Sequence, residues 1–348
     1  ISRMLIHPSN PNIMYVGGSF GIMKTTDGGN SWSTIFTTIS IKDMEFKPGN
    51  PSVIYAAGSA VYRTTNDGAN WSLLSNGIPT STRRIALGVT PANSNYVYAL
   101  AGNFNNGFMG LYRSTDSGDT WTTQSTTPNI LGWSYDGDDS GGQAWYDLCI
   151  AIDQSNPNIV YSGGVNVWKS TNGGVNWSCI AHWWGDRTSE VHADHHDLWF
   201  VPGTNRLYSG NDGGIYRTTN GGSSWQWLGS GLVITQFYRI GASQTNDDVW
   251  IGGSQDNGTK NFVSSSWKDV IGGDGMECLI DHSTTQYQFG SLYYGRILMS
   301  NDYGENFFDW VWPSMFSGEA GAWVTPYVMH PTNNQTIYVG YRDVWKTT

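Results

Sequence analysis

The chain has 348 residues, of which 44 are glycine, 14% are aromatic and only 13% are charged, and its formal net charge is −10. The acidic balance, without a basic patch, argues against nucleic-acid phosphate as a partner. No apolar run reaches the ~18 residues of a membrane span, so membrane insertion is not expected. This composition is typical of many short strands joined by tight turns.

A pattern of strand, turn and strand opens the chain and then recurs. It is HPSNPNIMYVGG at 7–18, KPGNPSVIYAAG at 47–58, TPANSNYVYALAG at 90–102 and DQSNPNIVYSGG at 153–164, with looser versions further on. The Pro/Asn/Gly cluster predicts a turn, and the alternating run after it predicts a strand. An apolar segment before each cluster predicts the strand that pairs with it.

An eight-residue motif, Ser/Thr-x-Asp/Asn-x-Gly-x-x-Trp/Phe, follows most of these strand pairs, and we call it the turn motif. Its copies are TTDGGNSW at 25–32, TTNDGANW at 64–71, STDSGDTW at 114–121, STNGGVNW at 170–177, TTNGGSSW at 218–225 and SNDYGENF at 300–307. The glycine supplies a positive φ, and the Asp or Asn bonds backbone N–H groups across the turn. We therefore predict that the motif is a structural hairpin.

Four antiparallel strands that recur every ~46 residues predict a β-propeller blade. The predicted fold is all-β, a propeller of four-stranded antiparallel blades, with seven blades over residues 1–319 and strands of a further incomplete blade over 320–348. The sixth repeat, at about 233–270, lacks a recognisable turn motif. The 320–348 strands would close the ring or start the next propeller of a longer protein.

Polar residues on a first strand are unusual, because in propellers that strand lines the central channel. Alternation places His192, Asp194 and His196 on one face of the fifth first strand. One ion could bind the adjacent pair His192 and Asp194, with further ligands from other blades. The candidates for those ligands are Asp212, Asp256, Asp274 and Glu277. The alternative is a hydrogen-bonded polar network without metal.

A second metal signal is DGDDSGGQAWYD at 136–147. Asp136, Asp138, Ser140 and Asp147 stand at positions 1, 3, 5 and 12 of an EF-hand-like loop, which predicts calcium as cofactor. Asp at position 12 and the absence of flanking helices depart from that pattern. The alternative is a solvated acidic turn.

Aromatic residues in the long loops suit stacking on sugars or docking of a protein. Trp145, Trp183 and Trp184 are the candidates, and the alternative is that they belong to the core. The predicted ligand-binding set is His192, His196, Asp212, Asp256, Trp145, Trp183 and Trp184.

The turn motifs resemble the Asp-box, or bacterial neuraminidase, repeats of sialidases, sortilin-type receptors and family 74 xyloglucan hydrolases. The stretches VHADHHDLWF, GNDGGIYRTTNGG, GLVITQFYRI, GGSQDNGT and GGDGMECLID are similar to those of large secreted Asp-box proteins of Bacteroidetes-type bacteria. The resemblance implies a propeller and an extracellular or cell-surface location. Xyloglucan hydrolases of this type place their acidic pair in a cleft between two propellers.

Three functions remain open on the sequence. The main prediction is a non-catalytic extracellular module for adhesion, scaffolding or ligand binding, whose partners are other domains or subunits of a larger surface assembly and a glycan or protein ligand. The first alternative is a glycoside hydrolase that uses the channel carboxylates Asp194, Asp274 and Glu277. The second alternative is a sortilin-like propeller that binds peptides.

Overall fold

The computed structural model describes residues 1–232, 234–316 and 318–347 and contains two compact units, Ile1–Ser230 and Gly231–Thr348. Val233 and Ser317 of the predicted 1–319 propeller, and Thr348 of the predicted 320–348 segment, lie outside the described residues. The division of the sequence at residue 319 stays a prediction.

The first unit contains five sheets, and within each sheet strands adjacent in sequence pair. The first two sheets are β1 (Arg3–Ile6), β2 (Met14–Gly18), β3 (Gly21–Thr25) and β4 (Ser33–Phe36), then β5 (Asp43–Lys47), β6 (Asn50–Ala57), β7 (Val61–Thr64) and β8 (Ser72–Leu74). The third is β9 (Arg84–Val89), β10 (Val97–Gly102), β11 (Phe108–Ser114) and β12 (Thr122–Ser125). The fourth is β13 (Cys149–Ile152), β14 (Val160–Gly163), β15 (Val167–Ser170), β16 (Ser178–His182) and β17 (Ser189–Glu190), and the fifth is β18 (His195–Phe200), β19 (Leu207–Asn211), β20 (Gly214–Thr218) and β21 (Gln226–Trp227). All pairings are antiparallel except β16 with β17.

The second unit contains three sheets. They are β22 (Phe237–Ala242), β23 (Trp250–Ser254), β24 (Thr259–Val263) and β25 (Ser266–Ile271); β26 (Cys278–Ile280), β27 (Gln288–Leu292), β28 (Arg296–Ser300) and β29 (Phe308–Val311); and β30 (Tyr327–His330), β31 (Asn333–Gly340) and β32 (Val344–Lys346). Two short 3₁₀ helices, Tyr293–Gly295 and Pro313–Phe316, lie in connections. The described residues thus form eight sheets, which confirms the all-β prediction of mainly four-stranded antiparallel sheets.

The hydrophobic core lies between consecutive sheets. In the first unit, Tyr98 and Leu100 of β10 pack with Ile150 and Ile152 of β13 in one buried cluster. The first strands β1, β5, β9, β13 and β18 contact one another in that order. Residues at the start of these strands are therefore brought together from different repeats.

The turn motif is held by hydrogen bonds between its own residues, as predicted. In the third copy, Gly118 N donates to Ser114 Oγ at 2.7 Å, and Thr120 N and Thr120 Oγ1 donate to the Asp116 carboxylate at 2.9 and 2.6 Å. The bonds from Thr120 lower the pKa of Asp116 to about 2. Gly118 has φ 99°, which a side chain would strain.

The motif also joins neighbouring sheets through the carbonyl of its fourth residue. Arg63 Nη1 and Tyr55 OH of the second sheet donate to Ser117 O at 2.6 and 3.0 Å. Lys169 Nζ makes the corresponding bond to Gly221 O at 2.8 Å. The basic residue before the motif thus has a structural role, since it binds the turn of the next sheet.

We expect Asp116→Ala to lower the free energy of unfolding by about 1–2 kcal/mol, because three turn hydrogen bonds, from Ser114 Oγ, Thr120 N and Thr120 Oγ1, lose their acceptor. Chemical denaturation measures this. Asp116→Asn is the matched control and should be near neutral, because Asn172 accepts the same backbone bond, from Asn176 N at 2.9 Å, in the fourth copy. Equal stability of the alanine variant and the native chain would contradict the structural role.

The sixth sheet turns without the motif, as its sequence indicates. Val263 and Ser266 face each other across a two-residue turn in which Ser264 and Ser265 have φ 52° and 63°. Two consecutive positive φ angles are the geometry of a tight hairpin turn. Separately, no helix in the described part of the chain is both long and apolar enough to cross a membrane.

Candidate functional site

Two loops bring the carboxyl groups of Asp147 and Asp194 into hydrogen-bond contact. Asp147 precedes β13 and Asp194 precedes β18, and these first strands are neighbours in the first unit. Asp194 has φ 65°, a conformation that Asp tolerates better than most residues. Arg84 fixes the backbone beside Asp147, because its Nη1 donates to Tyr146 O at 2.8 Å.

Asp147 is the more deeply buried member of this pair, at 1% exposed. Burial, and next the negative charge of Asp194, raise the pKa of Asp147 to about 9. A pKa of about 9 keeps the proton on Asp147 at neutral pH, and its carboxyl group is hydrogen-bonded to that of Asp194.

Asp194 is half-buried, and burial, and next the charge of Asp212, raise its pKa above the usual range. The bond from Asp147 and the charges of His192 and His196 act in the opposite direction. Gln143 Nε2 donates to Asp194 Oδ1 at 2.8 Å. Asp194 is thus a positioned carboxyl group that takes up a proton more readily than a free aspartate.

Asp212, in the turn between β19 and β20, is the charge that acts on Asp194. Its Oδ1 accepts from His196 Nε2 at 2.6 Å and its Oδ2 from Tyr146 OH at 2.7 Å. One side-chain oxygen of Asp212 lies within 4.8 Å of one of Asp194.

An aromatic surface borders these carboxyl groups. The Tyr146 and His196 rings pack edge-on, with their centroids 4.9 Å apart. The centroid of the Trp145 ring lies 5.4 Å from that of Tyr146, and Trp145 is 54% exposed. We call the following residues the carboxyl cluster: Gln143, Trp145, Tyr146, Asp147, Asp194, His196 and Asp212. A carboxyl group with a raised pKa, next to a second carboxyl group and an exposed aromatic ring, can protonate the leaving oxygen of a bound sugar.

In the structure, residues that the sequence patterns assigned to separate sites lie together in one cluster. It unites Asp194, His196, Asp212 and Trp145, which were predicted as ligand-binding or metal-binding, with Asp147 from the predicted calcium loop. His192 lies at the edge, with Nδ1 3.2 Å from Ala193 O, and charge interactions link it to Asp194. The metal pair His192 and Asp194 stays a prediction, while the hydrogen-bonded network that was its alternative is present.

The predicted calcium loop does not assemble in this structure. Asp136 binds Arg187 Nη1 and Nη2 at 3.3 and 2.7 Å, whereas Asp147 pairs with Asp194. Asp136, Asp138 and Asp147, all within the described residues, do not form a converging set of ligand atoms. The physical reason is that the loop folds around the Asp139 carboxylate, which accepts from Trp133 N at 2.6 Å. Calcium binding, with Ser140 as a ligand, stays a prediction without support from this geometry.

The remaining predicted residues lie in the second unit. Asp274 Oδ1 accepts from Asp256 N at 2.8 Å, and Glu277 pairs with Arg239 at 3.4 Å. Burial raises the pKa of Glu277 above its usual value, although Arg239 opposes the shift. Asp194 belongs to the first unit, so the three predicted catalytic carboxylates do not form one set within a single unit.

Sequence analysis missed a charged cavity of about 300 Å³ in the first unit, lined by residues that include Arg3, Asp43 and Glu45. Arg3 Nη2 donates to Glu45 at 2.5 Å, and Arg3 Nε lies 3.3 Å from Asp43. Burial, and next the charge of Asp43, raise the pKa of Glu45 to about 7. The alternation Asp43-x-Glu45 on a first strand was the available signal. Because both carboxyl groups bind one guanidinium, we assign this network a structural role.

Comparisons with known proteins identify similar sequences and similar structures. No protein-family model matches the chain. The xyloglucanase Xgh74A of Acetivibrio thermocellus is 29% identical over 168 residues, which are 40% of this chain and 19% of that protein. The xyloglucanase of Hypocrea jecorina is 27% identical over 169 residues, again 40% of this chain and 19% of that protein. The match therefore spans about a fifth of the length of these curated relatives.

Two solved structures share the architecture. An ancestral GH74 enzyme superposes with a TM-score of 0.55 at 15% identity, over 97% of this chain and 60% of that chain. The GH74 enzyme of Niastella koreensis gives a TM-score of 0.51 at 16% identity, over 97% and 59%. The fold is a β-propeller. The fold-class prediction is confirmed, while the number of blades stays a prediction.

The main functional prediction, a non-catalytic module, is wrong. The curated relatives are xyloglucanases, and they favour the glycoside hydrolase that the sequence offered as its first alternative. The non-catalytic prediction rested on the resemblance: xyloglucan hydrolases of that type place their acidic pair in a cleft between two propellers, and one propeller alone supplies at most a part of such a cleft.

Proposed function

We propose that this chain contributes the general acid, Asp194, to the active site of a glycoside hydrolase that acts on xyloglucan-type glucans. The observation that carries the proposal is the arrangement of three carboxyl groups: the pKa values of Asp147 and Asp194 are both raised, and Asp212 is hydrogen-bonded to His196 and Tyr146 beside them. Glycosidases use such an acid to protonate the leaving oxygen while a second carboxylate stabilises or activates the other side of the sugar. The xyloglucanase relatives support the choice of substrate.

Asp212 acts in this proposal as a positioning residue. Its charge raises the pKa of Asp194 and so keeps the acid protonated at higher pH. Asp147 is also a positioning residue, because its buried carboxyl group is hydrogen-bonded to that of Asp194.

Three further assignments belong to the proposal. We assign the turn motifs to the Asp-box type, because Ser/Thr, Asp/Asn and Gly share one bonding pattern in the copies at 114–121 and 170–177. We place the protein outside the cell, because a polysaccharide substrate does not cross the membrane. Its partners are a glycan and further domains of a longer protein, since the curated relatives are longer than this chain.

The test is hydrolysis of xyloglucan, followed as new reducing ends and as oligosaccharides by mass spectrometry, with an α-glucan as the negative substrate. We expect Asp212→Asn to shift the alkaline limb of the kcat/KM profile to lower pH, because the acid loses the charge that raises its pKa. Asp119→Asn is the control, since that carboxylate is exposed and pairs with Arg63. An inactive native chain, or an unmoved limb in the folded Asp212 variant, would contradict the assignment.

A further inference from the structure

A second cavity of about 380 Å³ lies in the first unit between the loop that precedes β13 and the loop that joins β16 to β17. Its walls include Trp133, Trp183 and Trp184, and Trp184 is 61% exposed. The Trp183 and Trp184 rings lie 4.4 Å apart. None of the lining residues belongs to the carboxyl cluster.

Buried polar side chains hold the backbone beneath these rings. Asn166, which is fully buried, donates from Nδ2 to Trp133 O at 3.1 Å and accepts from Trp183 N at 3.1 Å. His182, also buried, has Nε2 3.0 Å from Trp133 O. One amide therefore links the two loops, and the tryptophans are placed before any ligand arrives, which lowers the entropy lost on binding.

Charged groups line the cavity, and its one arginine is paired with carboxylates. Arg187 binds Asp136 through two nitrogens, and its guanidinium lies 4.1 Å from the centre of the Tyr135 ring. A paired guanidinium and carboxylate still offer hydrogen-bond donors and acceptors to hydroxyl groups. They do not favour an anionic ligand, and neither does a chain with a net charge of −10.

We infer that this cavity is a binding subsite for a neutral oligosaccharide, which stacks on Trp184 and bonds through its hydroxyl groups to the Asp136–Arg187 pair. The choice of a glucan rests on the proposed function. Exposed aromatic rings beside paired polar groups match the apolar faces and equatorial hydroxyls of such a sugar. A substrate chain held here would be a long one, because the subsite is separate from the carboxyl cluster.

The test uses the folded chain with Asp194→Asn, so that turnover does not consume the probe. Xyloglucan oligosaccharides are titrated by calorimetry, and Trp184→Ala in this background is expected to weaken binding about tenfold or more, which corresponds to ~1.4 kcal/mol. Trp184→Phe should restore most of the affinity, because it keeps a ring. Phe104→Ala, at an aromatic residue 68% exposed in another loop, is the matched control and should leave the affinity unchanged.

The possible outcomes distinguish a failure of the proposed subsite from a failure of the proposed function. Loss of affinity in Trp184→Ala, with the affinity unchanged in Phe104→Ala, supports the subsite. Affinity for the oligosaccharide that depends on Trp184 in a chain without hydrolytic activity would contradict the proposed function and still support the subsite. Equal affinity of the Trp184 variant and its parent, no binding of any neutral oligosaccharide, or binding of peptides alone would overturn the inference.

Discussion

Asparagine in place of Asp194 is expected to lower kcat/KM for xyloglucan by about 10²–10⁴-fold, the contribution typical of a general acid. The amide can still accept the hydrogen bond from Gln143 Nε2, so the loop keeps a main support, but it has no proton to transfer. Initial rates of reducing-end formation measure the change. Asp119→Asn, an exposed carboxylate of the same unit, should retain the native rate.

A leaving-group series distinguishes an acid from a merely structural residue. Dinitrophenolate is a stable anion and leaves a glycoside without being protonated. Asp194→Asn should therefore lose much less activity on a dinitrophenyl glycoside than on xyloglucan. Melting temperatures of the two variants show whether each is folded. Native rates on xyloglucan in a folded Asp194 variant, or an equal loss on both substrates, would contradict the role of Asp194 as acid.

Asp147 is expected to make the protein progressively less stable as the pH rises from 7 to 9. Its pKa is about 9 in the folded chain against an ordinary value of 3.8, because it is buried beside the negative charge of Asp194. The unfolded chain gives up this proton at lower pH. The stabilisation is therefore complete below about 3.8 and is lost as the pH rises through 9. Each pH unit between 7 and 9 costs up to ~1.4 kcal/mol for one group, so the loss of stability over these two units is at most about 3 kcal/mol.

Asp147→Asn should flatten this dependence, since an amide keeps a hydrogen-bond donor toward Asp194 and does not titrate. Melting curves at pH 7, 8 and 9 measure it. Glu45, with a pKa of about 7, also makes the protein less stable as the pH rises, but most of that loss of stability occurs below pH 7. The measurements therefore start at pH 7. His195, whose pKa burial lowers to about 3, is neutral throughout the range from pH 7 to 9. Parallel curves for the native chain and the Asp147 variant would show that Asp147 is ionised in the fold.

The sequence by itself determined the repeating architecture, because that architecture depends on local chemistry. Ser114, Asp116 and Gly118 lie within five residues and form their turn with bonds inside that segment. A pattern of this kind is visible wherever it recurs. The strands that flank it follow from alternation and from the Asn-Pro turns in the same way.

The carboxyl cluster was decided only by the tertiary structure. Asp147 and Asp194 are 47 positions apart, and Asp212 lies a further 18 positions on. Each is ambiguous alone: Asp147 fitted a calcium loop, and Asp194 fitted a metal pair with His192. Contact between β13 and β18 brings Asp147 next to Asp194, while Asp212 sits on the turn after β19. The pKa of a carboxyl group depends on burial and on neighbouring charges within a few ångströms. Those neighbours come from separate repeats, so no local pattern contains them.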